Sequence, residues 1–361
     1  MDPAALIGSI AAEAGKRPAR PRIMEVCGTH TAAMFRHGIR SLLADAVEVV
    51  SGPGCPVCVT PDAVIDTAIG YARQGHLVAT YGDMIRVPGT ETSLGGARAE
   101  GADVRVVVSP LAVADLAAAN PGRKVIFLAV GFETTAPGTA LLLRELQARG
   151  LTNAFVLAAH KLIPPAMLAL LAEGGQRIDG FLCPGHVSTV IGLEPYRRIS
   201  AGFGVPCVVA GFEPEEILLS LLMLLRQLNA GRAEVENQYA RAVRPEGNPR
   251  ARALVDEFFL TADSVWRGFG TLPGSGLLLR ERFASFDARR NLGTELPPAR
   301  DDTGCACGAI LRGAIHPPAC PQYGRACTPA TPRGPCMVSS EGACAIYYAA
   351  QDLQTVTGEA V

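Results

Sequence analysis

The sequence predicts an α/β protein: two doubly wound parallel-sheet domains followed by a small Cys-rich C-terminal domain. Three observations lead there. Between about residues 20 and 230, short β-rich runs alternate with helical stretches. Most of those runs are continuously apolar rather than alternating, as strands covered on both faces of a parallel sheet are. From Gly304 onwards the composition turns sharply to Cys, Pro and Gly.

In order, the candidate strands are 23–26, 47–51, 77–81, 104–108, 125–130, 155–158, 180–182 and 206–210. Helical segments fall near 62–73, 111–119, 137–149, 165–173 and 213–228. An echo, Val130-Gly131-Phe132-Glu133 against Ala210-Gly211-Phe212-Glu213, closes a strand and opens a helix twice, which suits two related units. The expected division is 1–120, carrying the Cys27 and Cys55/Cys58 loops, then 121–232, then a helical and irregular 233–361. Residues 233–260 read as helices broken by Pro245 and Pro249. Residues 265–280, with Gly268, Gly270, Gly274 and Gly276, read as a strand with tight bends. The Cys-rich end cannot bury much apolar surface by itself and needs a staple, for which a metal centre is the natural choice.

Apolar residues make up 48% of the 361 and charged residues 19%, enough for sizeable cores and against a disordered chain. The formal net charge is -1, with no basic stripe interleaved with aromatics, which excludes nucleic acid as an expected partner. The first 14 residues lack the basic region of a secretory signal. The longest apolar run, 217–225, falls far short of the ~20 residues a membrane span needs. The expectation is a cytoplasmic protein without a membrane partner. Neither a G-x-x-x-x-G-K-[S/T] loop nor a strand–G-x-G-x-x-G–helix unit occurs, so nucleotide chemistry is not expected as the primary activity.

Eleven cysteines in a long chain without an export signal point to metal binding or redox chemistry rather than to a disulfide framework. Six lie between Cys305 and Cys344. Four of them run Cys305-x14-Cys320-x6-Cys327-x16-Cys344, close to prolines that stiffen the backbone. Four thiolates suit an iron–sulfur cluster or a tetrahedral zinc, and the spacing leaves both open. Cys307 and Cys336 are left over, either as thiols exchanging electrons with a centre or as packing.

Nearer the N-terminus, Cys27-Gly28-Thr29-His30-Thr31 follows a strand and leads into a helix. A thiol there feels the positive end of the helix dipole, which favours thiolate, and open α/β sheets bind ligands at that edge. Gly52-Pro53-Gly54-Cys55-Pro56-Val57-Cys58 also follows a strand. Its Cys-x-x-Cys allows a reversible disulfide or two-point metal binding on a fixed, solvent-reachable loop. Residues 82–89, 131–137 and 182–188 are further strand ends expected to line a cleft between the two α/β domains. Taken one residue at a time they are equally ordinary turn chemistry.

These segments, with Cys336-Met337-Val338-Ser339-Ser340-Glu341-Gly342, together resemble the HypD family of hydrogenase maturation proteins, in the family's order from about residue 20 to 350. The resemblance implies that the Cys-rich domain carries a [4Fe–4S] cluster held by Cys305, Cys320, Cys327 and Cys344. It implies that Cys27, Cys55 and Cys58 are the essential thiols, ligands of a transient iron carrying CN and CO. It further implies a scaffold rather than a turnover enzyme, working with the chaperone HypC and accepting cyanide from HypE. Cys27 is then expected to anchor the iron, with His30 supporting it through a ring N–H. The alternative is a cluster-dependent thiol–disulfide oxidoreductase, in which Cys55 and Cys58 cycle. A third thiol–imidazole loop at Cys27 and His30 argues for the scaffold.

Overall fold

The computed structural model describes residues 2–293 and 304–357. The expected third domain therefore includes two stretches, 294–303 and 358–361, outside the described residues. Eleven strands occur among the described residues: β1 (Arg22–Glu25), β2 (Glu48–Ser51), β3 (Leu77–Thr80), β4 (Val104–Val106), β5 (Val125–Gly131), β6 (Ala154–His160), β7 (Gly180–Pro184), β8 (Cys207–Ala210), β9 (Val235–Asn237), β10 (Phe259–Trp266) and β11 (Gly270–Leu279). Two fully parallel sheets form, ordered β2-β1-β7-β8-β9 and β4-β3-β5-β6, and β10 and β11 make an antiparallel hairpin. Every residue of β5 and β6 is buried, which is why those runs are apolar without alternation.

Sheet membership divides the chain differently from a cut at residue 120. β3 pairs with β5 from Leu77↔Val125 to Thr80↔Leu128, so 77–160 is one unit. The first sheet is built from 22–51 and, after that unit, 180–237, with β7 returning to pair with β1. Strand–helix alternation reads the same whether the next strand joins the old sheet or starts a new one, so the pattern alone does not assign strands to sheets. The repeated Gly-Phe-Glu segments follow strands at different positions, β5 as the third strand of its sheet and β8 as the fourth of the other.

Residues 233–260 are not the broken helices expected. β9 extends the first sheet, and Pro249 opens a helix, Pro249–Phe258, rather than ending one. Proline fits there because the first helical N–H has no partner to lose, and the Asn248 side chain accepts from the Ala251 N–H at 3.1 Å. The long helix Pro214–Asn229 begins in the same way, with Glu213 and Glu216 forming a capping box.

Three apolar clusters hold the molecule together. One packs the N-terminal helix and helix Pro214–Asn229 on the first sheet, and one covers a face of the second. The largest is shared: it joins Met24 and Val50 of the first sheet, Ile126 and Leu128 of the second, Trp266 of the hairpin and the cysteines of the C-terminal lobe. The Cys-rich segment thus borrows its core from both sheets. Among the described residues, no helix is long and apolar enough to cross a membrane.

Candidate functional site

In both sheets the chain order reverses next to the first strand, between β1 and β7 and between β3 and β5. Strand ends at such switch points splay apart and leave a crevice at their carboxyl edge. Cys27 sits two residues beyond β1, as the extended N-cap of helix Gly28–Arg36. Two sequence-distant segments press on it. Gly28 N–H donates to the Gly54 carbonyl at 3.2 Å, and a Cβ on Gly54 would lie 2.2 Å from the Cys27 nitrogen, so only glycine fits. A Cβ on Gly28 would meet the Glu341 carbonyl at 2.3 Å, and Thr29 Oγ1 donates to Glu341 Oε1 at 3.1 Å. Phe35 and Tyr347 rings, 4.4 Å apart, seal the same contact further along.

The thiolate expected at Cys27 is not favoured in the free protein. The backbone N–H groups of His30 and Thr29 do pull towards it, but burial dominates, and Glu341 and Glu25 add to it. The thiol is pushed up to about 12. Glu25 is itself buried and raised to about 7 by desolvation, while its carboxyl accepts from Cys27 N–H at 3.0 Å and from the Thr31 hydroxyl.

His30 is placed differently from expectation. Its Nε2 lies 2.9 Å from the Gly211 carbonyl, which can only accept, so Nε2 carries the proton. Burial pushes the imidazole down to about 4, leaving it neutral, and the buried Nδ1 has no hydrogen-bond partner among the described residues. The ring N–H expected for cyanide or sulfur is therefore occupied by Gly211. Instead the ring stacks on Phe212 at 4.7 Å, and His186 stacks on Phe212 at 4.0 Å. His186 follows β7 and Phe212 follows β8, neighbours in the first sheet; knowledge of that pairing would have marked both.

Cys55 and Cys58 form a disulfide with Cα atoms 5.3 Å apart. Both are buried, not solvent-reachable. Pro56 and Val57 between them line a cavity of about 440 Å³ at the second sheet's switch point, with Asp83, Thr134 and Thr135 among the other walls. Of the three strand ends expected to share a cleft, those near 82 and 131 meet here. The 182–188 segment does not; it lies by His30.

Five of the six C-terminal cysteines are buried and Cys305 is half-buried. Cys307 and Cys336 sulfurs lie 3.5 Å apart. Hydrogen bonds from the Cys305 and Cys336 thiols hold Cys307 well below the usual thiol range, while Cys336 is raised by its contacts with Cys307 and Cys344. Arg333 N–H donates to Cys327 Sγ at 3.3 Å. Among the described residues no group of three or more His, Cys, Asp or Glu side chains closes around a single ion. The donor set, soft thiols in an apolar lobe with a backbone N–H on sulfur, fits an iron–sulfur cluster. Arg267 connects this lobe to the disulfide loop: its N–H donates to the Val59 carbonyl at 2.8 Å, its guanidinium pairs with Asp62 at 2.5 Å, and its charge reaches Cys307.

The family described as "HypD: Hydrogenase formation hypA family" matches residues 3–351. The chain belongs to the HypD family. Its relatives include "Hydrogenase expression/formation protein HupD" of Azotobacter chroococcum mcd 1, 51% identical over 95% of this chain and 93% of that protein. "Hydrogenase maturation factor HypD" of Azotobacter vinelandii is also 51% identical over the same shares, and that of Rhodobacter capsulatus is 45% identical over 95% and 93%. Membership of the HypD family thus spans both sheets, the hairpin and the Cys-rich lobe.

Glu133 offers a separate test of the site's burial. Its Oε1 accepts from Ile163 N–H at 2.9 Å, Oε2 has no partner among the described residues, and burial raises the carboxyl from 4.5 to about 7. A raised acid stabilises the fold fully below its unfolded value and loses that contribution as pH rises through the folded one. Glu133→Gln is therefore expected to unfold at a higher temperature than wild type at pH 8.5, by at most about 3 kcal/mol of stability. The advantage should fade by pH 5; thermal melts that differ equally at both pH values would contradict it.

Proposed function

We propose that this chain is a hydrogenase maturation factor: with HypC it forms the scaffold on which iron receives CO and cyanide to become the Fe(CN)2CO group, the cyanide arriving from HypE. Family membership and the names of the relatives support the first part. One observation supports the scaffold reading, while HypC and HypE come from the resemblance to the family. Three thiol-bearing segments far apart in sequence meet at the switch point of the first sheet: the Cys27 helix start, the loop of Cys55 and Cys58, and the lobe that supplies Glu341.

In this reading Cys27 anchors the incoming iron. Its buried thiol keeps its proton until metal arrives, because a coordinating thiol is deprotonated outright by the ion's charge. A soft thiolate suits an iron that carries CO and cyanide. The His30–Phe212–His186 stack holds the neighbouring wall, with His30 buried and His186 exposed. A [4Fe–4S] cluster held by Cys305, Cys320, Cys327 and Cys344 would supply electrons when bound. Cys307 and Cys336, with sulfurs 3.5 Å apart, are placed to close to a disulfide, which releases two electrons and two protons, the number that opens Cys55–Cys58 to a dithiol.

That same pairing of a disulfide with a close thiol pair favours the second reading, a cluster-dependent thiol–disulfide oxidoreductase. Anaerobic infrared spectroscopy of the complex with HypC separates the two. The scaffold predicts CO and cyanide stretching bands and more iron than a single [4Fe–4S] cluster accounts for. A complex with its full cluster but neither band belongs to a reductase.

A further inference from the structure

Outside the thiol site, a cavity of about 490 Å³ opens between the first turn of helix Asp62–Arg73, the end of β6 and the β10–β11 hairpin. That volume is within the range of small-molecule sites. Two cations line it, Lys161 and Arg289. Lys161 is 3% exposed, and its Nζ donates to Ser264 Oγ and, at 2.8 Å, to the Val265 carbonyl. Both acceptors are neutral, and an ammonium has a third N–H to give. Arg289 donates from Nη1 to the Ala158 carbonyl at 3.2 Å, also neutral, and keeps further guanidinium donors. Among the described residues neither cation has a carboxylate oxygen within 4.0 Å.

A third positive element meets them. Ala63 and Val64, in the first turn of helix Asp62–Arg73, line the cavity; Val64 N–H donates to the Pro61 carbonyl at 3.1 Å, and Pro61 at the N-cap offers no side chain to the N–H groups before Val64. The acid of that turn, Asp62, is engaged by Arg267. Asp287 caps its own helix through the Arg289 backbone N–H at 2.8 Å. Asp263 also lines the cavity, but it is exposed, and its carboxylate accepts from the Gly274 N–H. Burial lowers both cations, and the charge of Arg289 lowers Lys161 further, so like charges face each other in a partly dry space. The remaining walls are apolar apart from the buried His160, whose Nε2 is hydrogen-bonded with Thr139 Oγ1 at 2.9 Å. Val64 is buried, while Val265 and Leu278 are 51% and 42% exposed.

We propose that this cavity binds a small carboxylate with an apolar body. Its carboxyl group sits among Lys161, Arg289 and the helix start, and its body runs along Val64, Val265 and Leu278. Compact polyanions are disfavoured by the apolar walls and by Asp263. The site is independent of the iron chemistry proposed above, and binding alone tests it.

Hexanoate titrated calorimetrically into the full chain should bind saturably, one to one. Hexanamide and inorganic phosphate should bind at least about tenfold more weakly, as loss of charge-assisted hydrogen bonds or of apolar contact requires. Arg289→Gln and Lys161→Met should each weaken hexanoate about tenfold or more. Because Lys161 also pins the hairpin, Ala63→Glu provides a variant that supplies a carboxylate from the cavity wall. It should abolish hexanoate binding while circular dichroism and the melting temperature stay at or above those of wild type. No saturable binding to the wild type overturns the proposal. So does equal affinity for hexanamide or phosphate, or unchanged hexanoate affinity in both Arg289→Gln and Ala63→Glu.

Discussion

Cys27→Ala is expected to abolish the CO and cyanide bands of the complex with HypC while leaving the fold and the cluster absorption in place. The change removes one sulfur from a buried helix cap, a loss on the order of 1 kcal/mol in fold stability. It removes the proposed anchor entirely. Cys27→Ser should not rescue the bands, because a hard hydroxyl oxygen is a poor match for electron-rich iron even though it occupies nearly the same space. His30→Ala should act less severely. It leaves the Gly211 carbonyl unpaired and takes away one face of the Phe212 stack, so its effect on assembly should fall nearer the ~10–100-fold typical of groups that orient a metal site. A Cys27→Ala complex with normal iron content and normal cyanide bands would remove Cys27 from the role. Cys55 or Cys58, freed by reduction, would then be the anchor.

Eight of the nine strands of the two sheets are legible in the sequence, most of them because burial on both faces writes itself as an apolar run; the half-buried β9 carries no such run. β5, read as 125–130, is Val125–Gly131. Sheet membership was not legible, since a parallel strand carries no mark of its neighbour. The return of β7 to β1 is what brings His186 beside Phe212 and His30, and it follows from packing over more than 120 intervening residues. The hairpin was half legible. Its glycines announce the bends of β11, but most of β10 lies between the helices expected to 260 and the strand expected from 265, and its burial pattern does not alternate strictly.

At the site, local electrostatics misled in an instructive way. The start of helix Gly28–Arg36 does favour a thiolate at Cys27, but only by the modest amount a first turn supplies. Burial works against it, and the largest opposing charge, Glu341, comes from the other end of the chain. The buried Glu25 inside an apolar strand was the one local signal that the neighbourhood is unfavourable to a second negative charge. The consequence for function is that Cys27 should be a poor free nucleophile and a metal-dependent thiolate, which is the behaviour of an anchor and not of a redox-active thiol.

Cys320→Ala is expected to remove the visible absorption of an anaerobically prepared [4Fe–4S] cluster and to open the C-terminal lobe to protease. Two accounts of this lobe differ by a large margin here. If buried thiols merely pack it, losing the Cys320 sulfur leaves a small cavity worth about 1 kcal/mol, and the lobe survives. If a cluster staples it, metal binding is folding free energy, and one missing ligand releases most of it. The lobe's own apolar content is small, and its core is the cluster shared with Met24, Val50 and Trp266, so release should also loosen the Glu341 contact with Thr29. Cys207→Ala is the matching control: another fully buried thiol, on β8, far from the six in sequence, whose loss should lower the melting temperature slightly and leave absorption and proteolysis unchanged. Iron content, absorption and proteolysis of 304–351 would be measured on all three proteins. Full cluster occupancy in Cys320→Ala would strike it from the ligand set, and Cys307 or Cys336, already in thiol contact with Cys305 and Cys344 respectively, would take its place.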